Sequence, residues 1–195
     1  MMGLNTILIG FSNAAVAVFG IYFKLQTFVF MPASGLTQGA MPLMGYNYGA
    51  GYHQRLHEAL KYAISVTGIM LCGCLLFEIF PTQLLGLFDA NAEMMNIGVP
   101  ALRIIGISFI PATFGFILPT LFQAMGLGLQ SLIIFLLRQL IITLPLAFLF
   151  ANWFGLYGIW VCFILAETTA AIVAYLLYLR IRKTDPILSR NWEAA

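Results

Sequence analysis

The chain has 195 residues, 62% hydrophobic and 8% charged, with a mean hydropathy of +0.96 and a formal net charge of +2. A soluble domain carries about 25% charged residues, so the composition excludes a water-soluble globular protein and points to a membrane protein. The small net charge argues against a nucleic-acid partner, and Cys72, Cys74 and Cys162 all lie in apolar runs, where they read as small buried hydrophobes and not as a disulfide or metal framework.

A bilayer core of about 30 Å takes roughly 20 residues of helix. By that measure the segment 1–11 is only a fragment of a span, and it lacks the basic start and cleavage site of a signal peptide. Long apolar runs come next at 14–45, 57–80, 95–125, 130–151 and 157–179. The sequence therefore predicts an all-α polytopic membrane protein with about five full transmembrane helices after a truncated first helix. The breaks fall at Ser12-Asn13, Gly49 to Arg55, Pro81 to Glu93, Gly126 to Gln130 and Asn152 to Gly158. Each is short, so consecutive helices are expected to be antiparallel neighbours.

The first full run is too long for a simple span, since thirty-odd residues extend about 48 Å. Pro32 predicts a bend there. Beyond it, the stretch GLTQGAMPLMGYNYGAG, Gly35 to Gly51, is rich in glycine and polar side chains. Its GxxxG spacings, Gly35 to Gly39 and Gly45 to Gly49, are expected to admit a neighbouring helix, and the later pair to help end this one. Gln38 and Asn47 then line the inner half of a cavity, or bond from helix to helix.

Three ionisable residues fall deep in their spans. Lys24 lies about 15 Å into the first run, and Arg138 and Glu167 each about 13 Å into theirs. A charge at that depth costs on the order of 2.5 to 3.5 kcal/mol even on lenient insertion scales. All three should therefore face protein or a watery cavity, with Glu167 paired to Lys24 or Arg138. Such a pair reads either as a register-fixing ion pair or as part of a substrate or coupling-ion pathway. Glu78 and Arg103 sit near span ends, where snorkelling to the interface accounts for them. His53 and His57 have helical spacing beside Glu58, but with no third ligand in sight they read as a solvated helix face. Trp153, Phe154 and Tyr157 read as an interfacial aromatic belt. There is no HExxH, no Ser and His set in reach on one span and no phosphate-binding loop, so the sequence predicts neither an enzyme nor a bound cofactor.

Charge bias orients the chain. Arg55, Lys61, Arg180, Arg182, Lys183 and Arg190 fall on one side, while Asp89 and Glu93 occupy the other. The positive-inside rule then makes residues 183–195 a cytoplasmic tail and the Ser12-Asn13 turn external.

The run AAVAVFGIYFKLQTFVFMPASGLTQGAMPLMGYNYGAG, Ala14 to Gly51, resembles the first helix pair in the C-terminal lobe of multidrug and toxic compound extrusion (MATE) transporters. The resemblance continues in order through LFD at Leu87 to Asp89, ALRIIG at Ala101 to Gly106, FQAMGLG at Phe122 to Gly128, LLRQLI at Leu136 to Ile141 and FGLYGIW at Phe154 to Trp160. It implies one six-helix lobe of a two-lobe fold, over residues 1–182, and H+- or Na+-coupled antiport of organic compounds by rocking of the lobes. The cation-coupling aspartate that many prokaryotic members carry in the first lobe is absent, as is an acidic residue on helix seven, and no Asp lies within a span. The resemblance thus leaves Glu167 as the candidate coupling residue. It carries over Lys24, Gln38, Asn47, Gln123 and Arg138 as cavity-lining or packing residues.

Because substrate sites in such folds form between lobes, the chain alone is expected to be inactive. The partners implied are the lipid bilayer of a bacterial plasma membrane, organic small molecules, and a missing N-terminal lobe or a second copy. Two other readings stand beside this one. A lipid-linked oligosaccharide flippase of the same superfamily would favour a more cationic cavity, and a non-transporting membrane subunit would bind a partner only.

Overall fold

The computed structural model describes residues 2–189; Arg190 with the rest of the tail, and the side chain of His53, lie outside the described residues. Helix α1, Met2–Ile9, leads to a turn at Ser12, whose hydroxyl accepts the Ala15 N–H at 3.0 Å and caps α2, Asn13–Gly49. That bond satisfies one of the orphan donors of the first turn. Helix α2 runs without interruption through Pro32 and Pro42, so the proline at the expected bend does not break it. At 1.5 Å per residue it extends about 55 Å, well beyond a hydrocarbon core of about 30 Å.

A turn at Gly51, with φ 73°, sends α3, His53–Ile79, back along α2. Val29 packs into the place that a side chain on Gly73 would occupy, and this contact fixes the register of the hairpin. Counting five residues from each side of it brings Lys24 level with Glu78, next to the end of α3. Lys24 thus lies beside the last residues of α3. The first turns of α2 overshoot α3 and pack instead on the next two helices of the chain, where Val18 and Leu85 meet at Gly98.

The first of these, the short α4, Pro81–Gly86, ends in a turn at Asp89, and Asn91 caps α5, Ala92–Ile107, by accepting the Met94 N–H at 2.9 Å. Helices α5 and α6, Phe109–Ala124, meet at 45° about Ser108, and only together are they long and apolar enough to cross a membrane. The buried Ser108 hydroxyl donates to the Ile105 carbonyl at 2.6 Å, occupying an acceptor at the bend. After Gly126 come α7, Gly128–Leu136, a π-helical segment, Leu137–Ile142, and α8, Thr143–Thr184.

Helix α8 is two arms, not one rod. Gly155 adopts φ 63° and ψ −147°, a backbone that side-chain-bearing residues avoid. The chain reverses so tightly there that a β-carbon on Gly158 would run into the Phe150 carbonyl. Arg138 and Glu167 are 29 residues apart yet bonded at 2.7 Å, whereas a continuous helix would separate them by about 43 Å. At the far end Asp185 caps the short α9, Pro186–Ser189, and accepts the Tyr48 hydroxyl at 2.6 Å, tying the ends of α8 and α2 together.

The chain therefore adopts the all-α, polytopic architecture anticipated from its hydropathy. Its core is made by Tyr22, Phe77, Phe109 and Trp160 where α2, α3, α5, α6 and α8 converge. Large apolar side chains such as Phe28, Leu43, Leu129 and Trp153 remain exposed, the kind of surface that lipid or another membrane helix covers. Of the four glycines expected to admit a neighbour, Gly45 does so against Ala124 of α6; Gly35, Gly39 and Gly49 have open space beside them.

Candidate functional site

The deepest polar feature is built where four segments cross. Arg138 comes from the π-helical segment, Glu167 from the second arm of α8, Phe30 from α2, and Gly115 and Phe116 from α6. A π turn inserts one extra residue and leaves backbone carbonyls without their usual partners. The Thr143 hydroxyl, five residues on, donates to the Arg138 carbonyl and so supports the widened turn from within.

Arg138 Nε donates to Glu167 Oε1 at 2.7 Å, a charge-assisted bond between side chains only about a tenth exposed. The guanidinium also lies 5.1 Å from the Phe116 ring centroid and 5.9 Å from that of Phe30, within cation–π reach of both. Gly115 makes the crossing possible. A β-carbon there would sit 3.3 Å from Arg138 Nη1 and 3.7 Å from Glu167 Oε2.

The pairing is incomplete on both sides. Glu167 Oε2 is buried without a hydrogen-bond partner, one of two such side-chain atoms among the described residues, the other being Trp160 Nε1. The bond to Glu167 is the single hydrogen bond of the Arg138 side chain among the described residues. An arginine–carboxylate pair can form two parallel bonds; this one forms one and leaves an acceptor and several donors uncommitted.

The pair borders two cavities. The first, about 460 Å³, is lined by Phe19, Tyr22, Gln139, Thr143, Phe163 and Glu167, among others, together with Arg138. The second, about 520 Å³, runs along α2 from Phe23 to Gln38 past Phe30, Met31 and Ser34. Phe23, Gln26, Arg138 and Gln139 belong to both, so the guanidinium stands at the partition.

Of the residues singled out in the sequence, Arg138 and Glu167 are brought together, and Gln38 lines the second cavity. Lys24 is exposed and reaches over the Phe88 ring at 5.6 Å, at the end of α3, and borders neither cavity. Asn47 turns its amide back to the Leu43 carbonyl of its own helix at 2.8 Å, and Gln123 bonds the Ser131 hydroxyl at 2.7 Å across the α6–α7 turn. These two act as local ties, and they too stand apart from both cavities. Sequence reasoning missed Gln26, Gln139, Gly115 and Thr143. The two glutamines carried a faint signal, being amides in otherwise apolar runs; Gly115 and Thr143 carried none, since small residues in membrane helices are ordinary.

Among proteins compared with this one, a family model described as MatE matches residues 1–149. A multidrug export protein, MepA, of Staphylococcus saprophyticus is 30% identical over 181 residues, covering 92% of this chain and 40% of the relative. MepA of Staphylococcus aureus is 29% identical over the same shares. Among solved structures, a multidrug resistance MATE family transporter of the MOP superfamily, in an outward-facing conformation, superposes with a TM-score of 0.85 at 27% identity over 94% of this chain and 42% of its own. A MATE protein in a bent conformation gives 0.87 at 26% identity over 97% of this chain and 43% of its own. The chain thus spans about two fifths of the length of the curated relatives it matches.

Proposed function

The chain belongs to the MatE family, and from that premise we propose that it serves as one membrane lobe of a multidrug exporter, a secondary transporter that exchanges organic compounds for H+ or Na+ across a bacterial plasma membrane. The observation that carries this reading is the Arg138–Glu167 pair, buried between two cavities, with an unsatisfied carboxylate oxygen. A coupling site must hold its cation in one state and release it in another. A carboxylate that borders a cavity and, among the described residues, is bonded by a guanidinium on one oxygen has the capacity to do so, because its second oxygen has no hydrogen-bond partner and its first can exchange one.

The second cavity is open along the exposed face of α2, where Met31, Gly35 and Gln38 are accessible. That openness fits a substrate chamber completed by a second lobe or a second copy, and hence a lobe that does not transport alone. The side carrying Tyr48, Arg55 and Asp185 is then cytoplasmic, as the basic residues require.

The test is transport by the lobe joined to a complementary first lobe in liposomes. Glu167→Gln is expected to slow dye efflux driven by a proton or sodium gradient; unchanged coupled efflux would reduce Glu167 to a structural role. The 195-residue chain by itself is expected to extrude no dye. Gradient-dependent extrusion by it alone would overturn the one-lobe reading unless crosslinking shows two copies rebuilding the pair of lobes.

A further inference from the structure

The two cavities differ in charge. Glu167 lines only the first; the second is bordered by α2 between Phe23 and Gln38 and by Arg138 and Gln139 of the π-helical segment. Among the described residues of that second lining the one ionisable side chain is Arg138, and it is cationic. We propose that the second cavity is a binding site for the oxyanion of an aromatic organic acid, a carboxylate or sulfonate, received on the Nη edge of Arg138.

Three observations carry this. The Arg138 side chain is nine-tenths buried and borders the cavity, yet its one hydrogen bond among the described residues uses Nε, leaving both Nη groups without a hydrogen-bond partner. A guanidinium presents five N–H donors in a rigid fork that matches a carboxylate or sulfonate with two bonds at once. Second, the neighbouring polar groups are donors suited to the same oxyanion. The amides of Gln26, Gln38 and Gln139 make no hydrogen bond to other described residues, and all three border the cavity. Among the described residues, no carboxylate in the lining opposes an anion. Third, Phe23, Phe30 and Met31 provide apolar walls beside the charge, and about 520 Å³ lies within the size range of small-molecule sites.

The nearest negative charge is Glu167, held on Nε of the same guanidinium. It offsets part of the attraction but leaves the Nη fork in place. This inference is separate from the coupling role proposed for Glu167, because it concerns a different cavity, which Glu167 does not line, and other nitrogens of Arg138.

The test is binding of 2-naphthalenesulfonate, whose charge is fixed across pH, to the 195-residue chain in phosphatidylcholine nanodiscs. Naphthylmethyl-trimethylammonium serves as the cationic control. Saturable sulfonate binding is expected for the unmodified chain. Glu167→Gln should tighten it by roughly threefold or more, since a nearby like charge is removed. The double variant Arg138→Gln, Glu167→Gln leaves no lone buried charge and so preserves folding; it should weaken sulfonate binding by about tenfold or more. Arg138→Lys keeps the charge but not the fork and should fall between.

Sulfonate binding that the double variant does not weaken would place the ligand elsewhere and overturn the proposal. No saturable binding to either the unmodified chain or Glu167→Gln would overturn it as well. If the ammonium probe binds in a Glu167-dependent way while the sulfonate does not bind, the oxyanion site falls and the coupling role stands. The efflux assay judges that role on its own.

Discussion

Removing one member of the buried pair should cost far more stability than removing both. Arg138 Nε and Glu167 Oε1 are 2.7 Å apart with each side chain about a tenth exposed, so solvent screens the pair little. Breaking a buried pair on one side typically costs about 3–5 kcal/mol because the survivor is left charged and unpaired. Here the loss falls at or somewhat below the lower end of that range, for two reasons. The pair is bonded through one oxygen only, a charge-assisted bond of about 1.5–3 kcal/mol, and partly unfolded membrane helices find replacement partners for their polar groups. Arg138→Gln and Glu167→Gln should therefore each destabilise by about 2–4 kcal/mol, the double variant by less than either, and the coupling between them should be at least as large as a single loss, about 2–4 kcal/mol or more. For a chain of this size that corresponds to a loss of roughly 4–16 °C in Tm for each single variant. Thermal unfolding of the four proteins in one detergent measures it. Additive losses, with a coupling below about 0.5 kcal/mol, would refute the claim that the two charges stabilise one another in a buried setting.

Other substitutions test the packing that brings the pair together. Gly158→Ala places a β-carbon against the Phe150 carbonyl at the α8 reversal; because backbone cannot step aside, a loss of about 2 kcal/mol or more is expected on heating. At Gly115, alanine is expected to be tolerated, since the gain in helix propensity of about 1 kcal/mol offsets a contact that the Arg138 tip can relieve. Valine there adds two methyls to the same space and should displace the pair, read as loss of the Arg138–Glu167 coupling in the same double-variant cycle. Tyr48→Phe removes the bond to Asp185 at the end where α2 and α8 meet; a loss of about 1 kcal/mol and faster proteolysis of the segment after Lys183 are expected.

The legibility of the chain in its sequence divides along the same physical line. Hydropathy requires only that apolar residues be counted within a window, and so the all-α polytopic fold was readable before any contact was known. Helix breaks were readable where local chemistry marks them, and the caps at Ser12 and Asn91 and the reversal at Gly155 fall within the breaks at Ser12-Asn13, Pro81 to Glu93 and Asn152 to Gly158. The family marks, spread from Ala14 to Trp160, were also local strings, and they named the same family that the match over residues 1–149 shows.

Depth and partnership were different. Distance along α2 placed Lys24 in mid-span, but the register set by Val29 on Gly73 puts it beside the end of α3. Glu167 had two candidate partners in the sequence, and the choice of Arg138 depended on a reversal at Gly155 and a π turn at Leu137–Ile142 acting together. Gly115 has no local mark at all, yet it supplies the space in which the pair sits. Composition and periodicity act along the chain and fix which segments must leave water. Which charges meet, which amides stay uncommitted and which cavity carries a net positive side chain depend on contacts between segments far apart in sequence, and only the tertiary structure decides them.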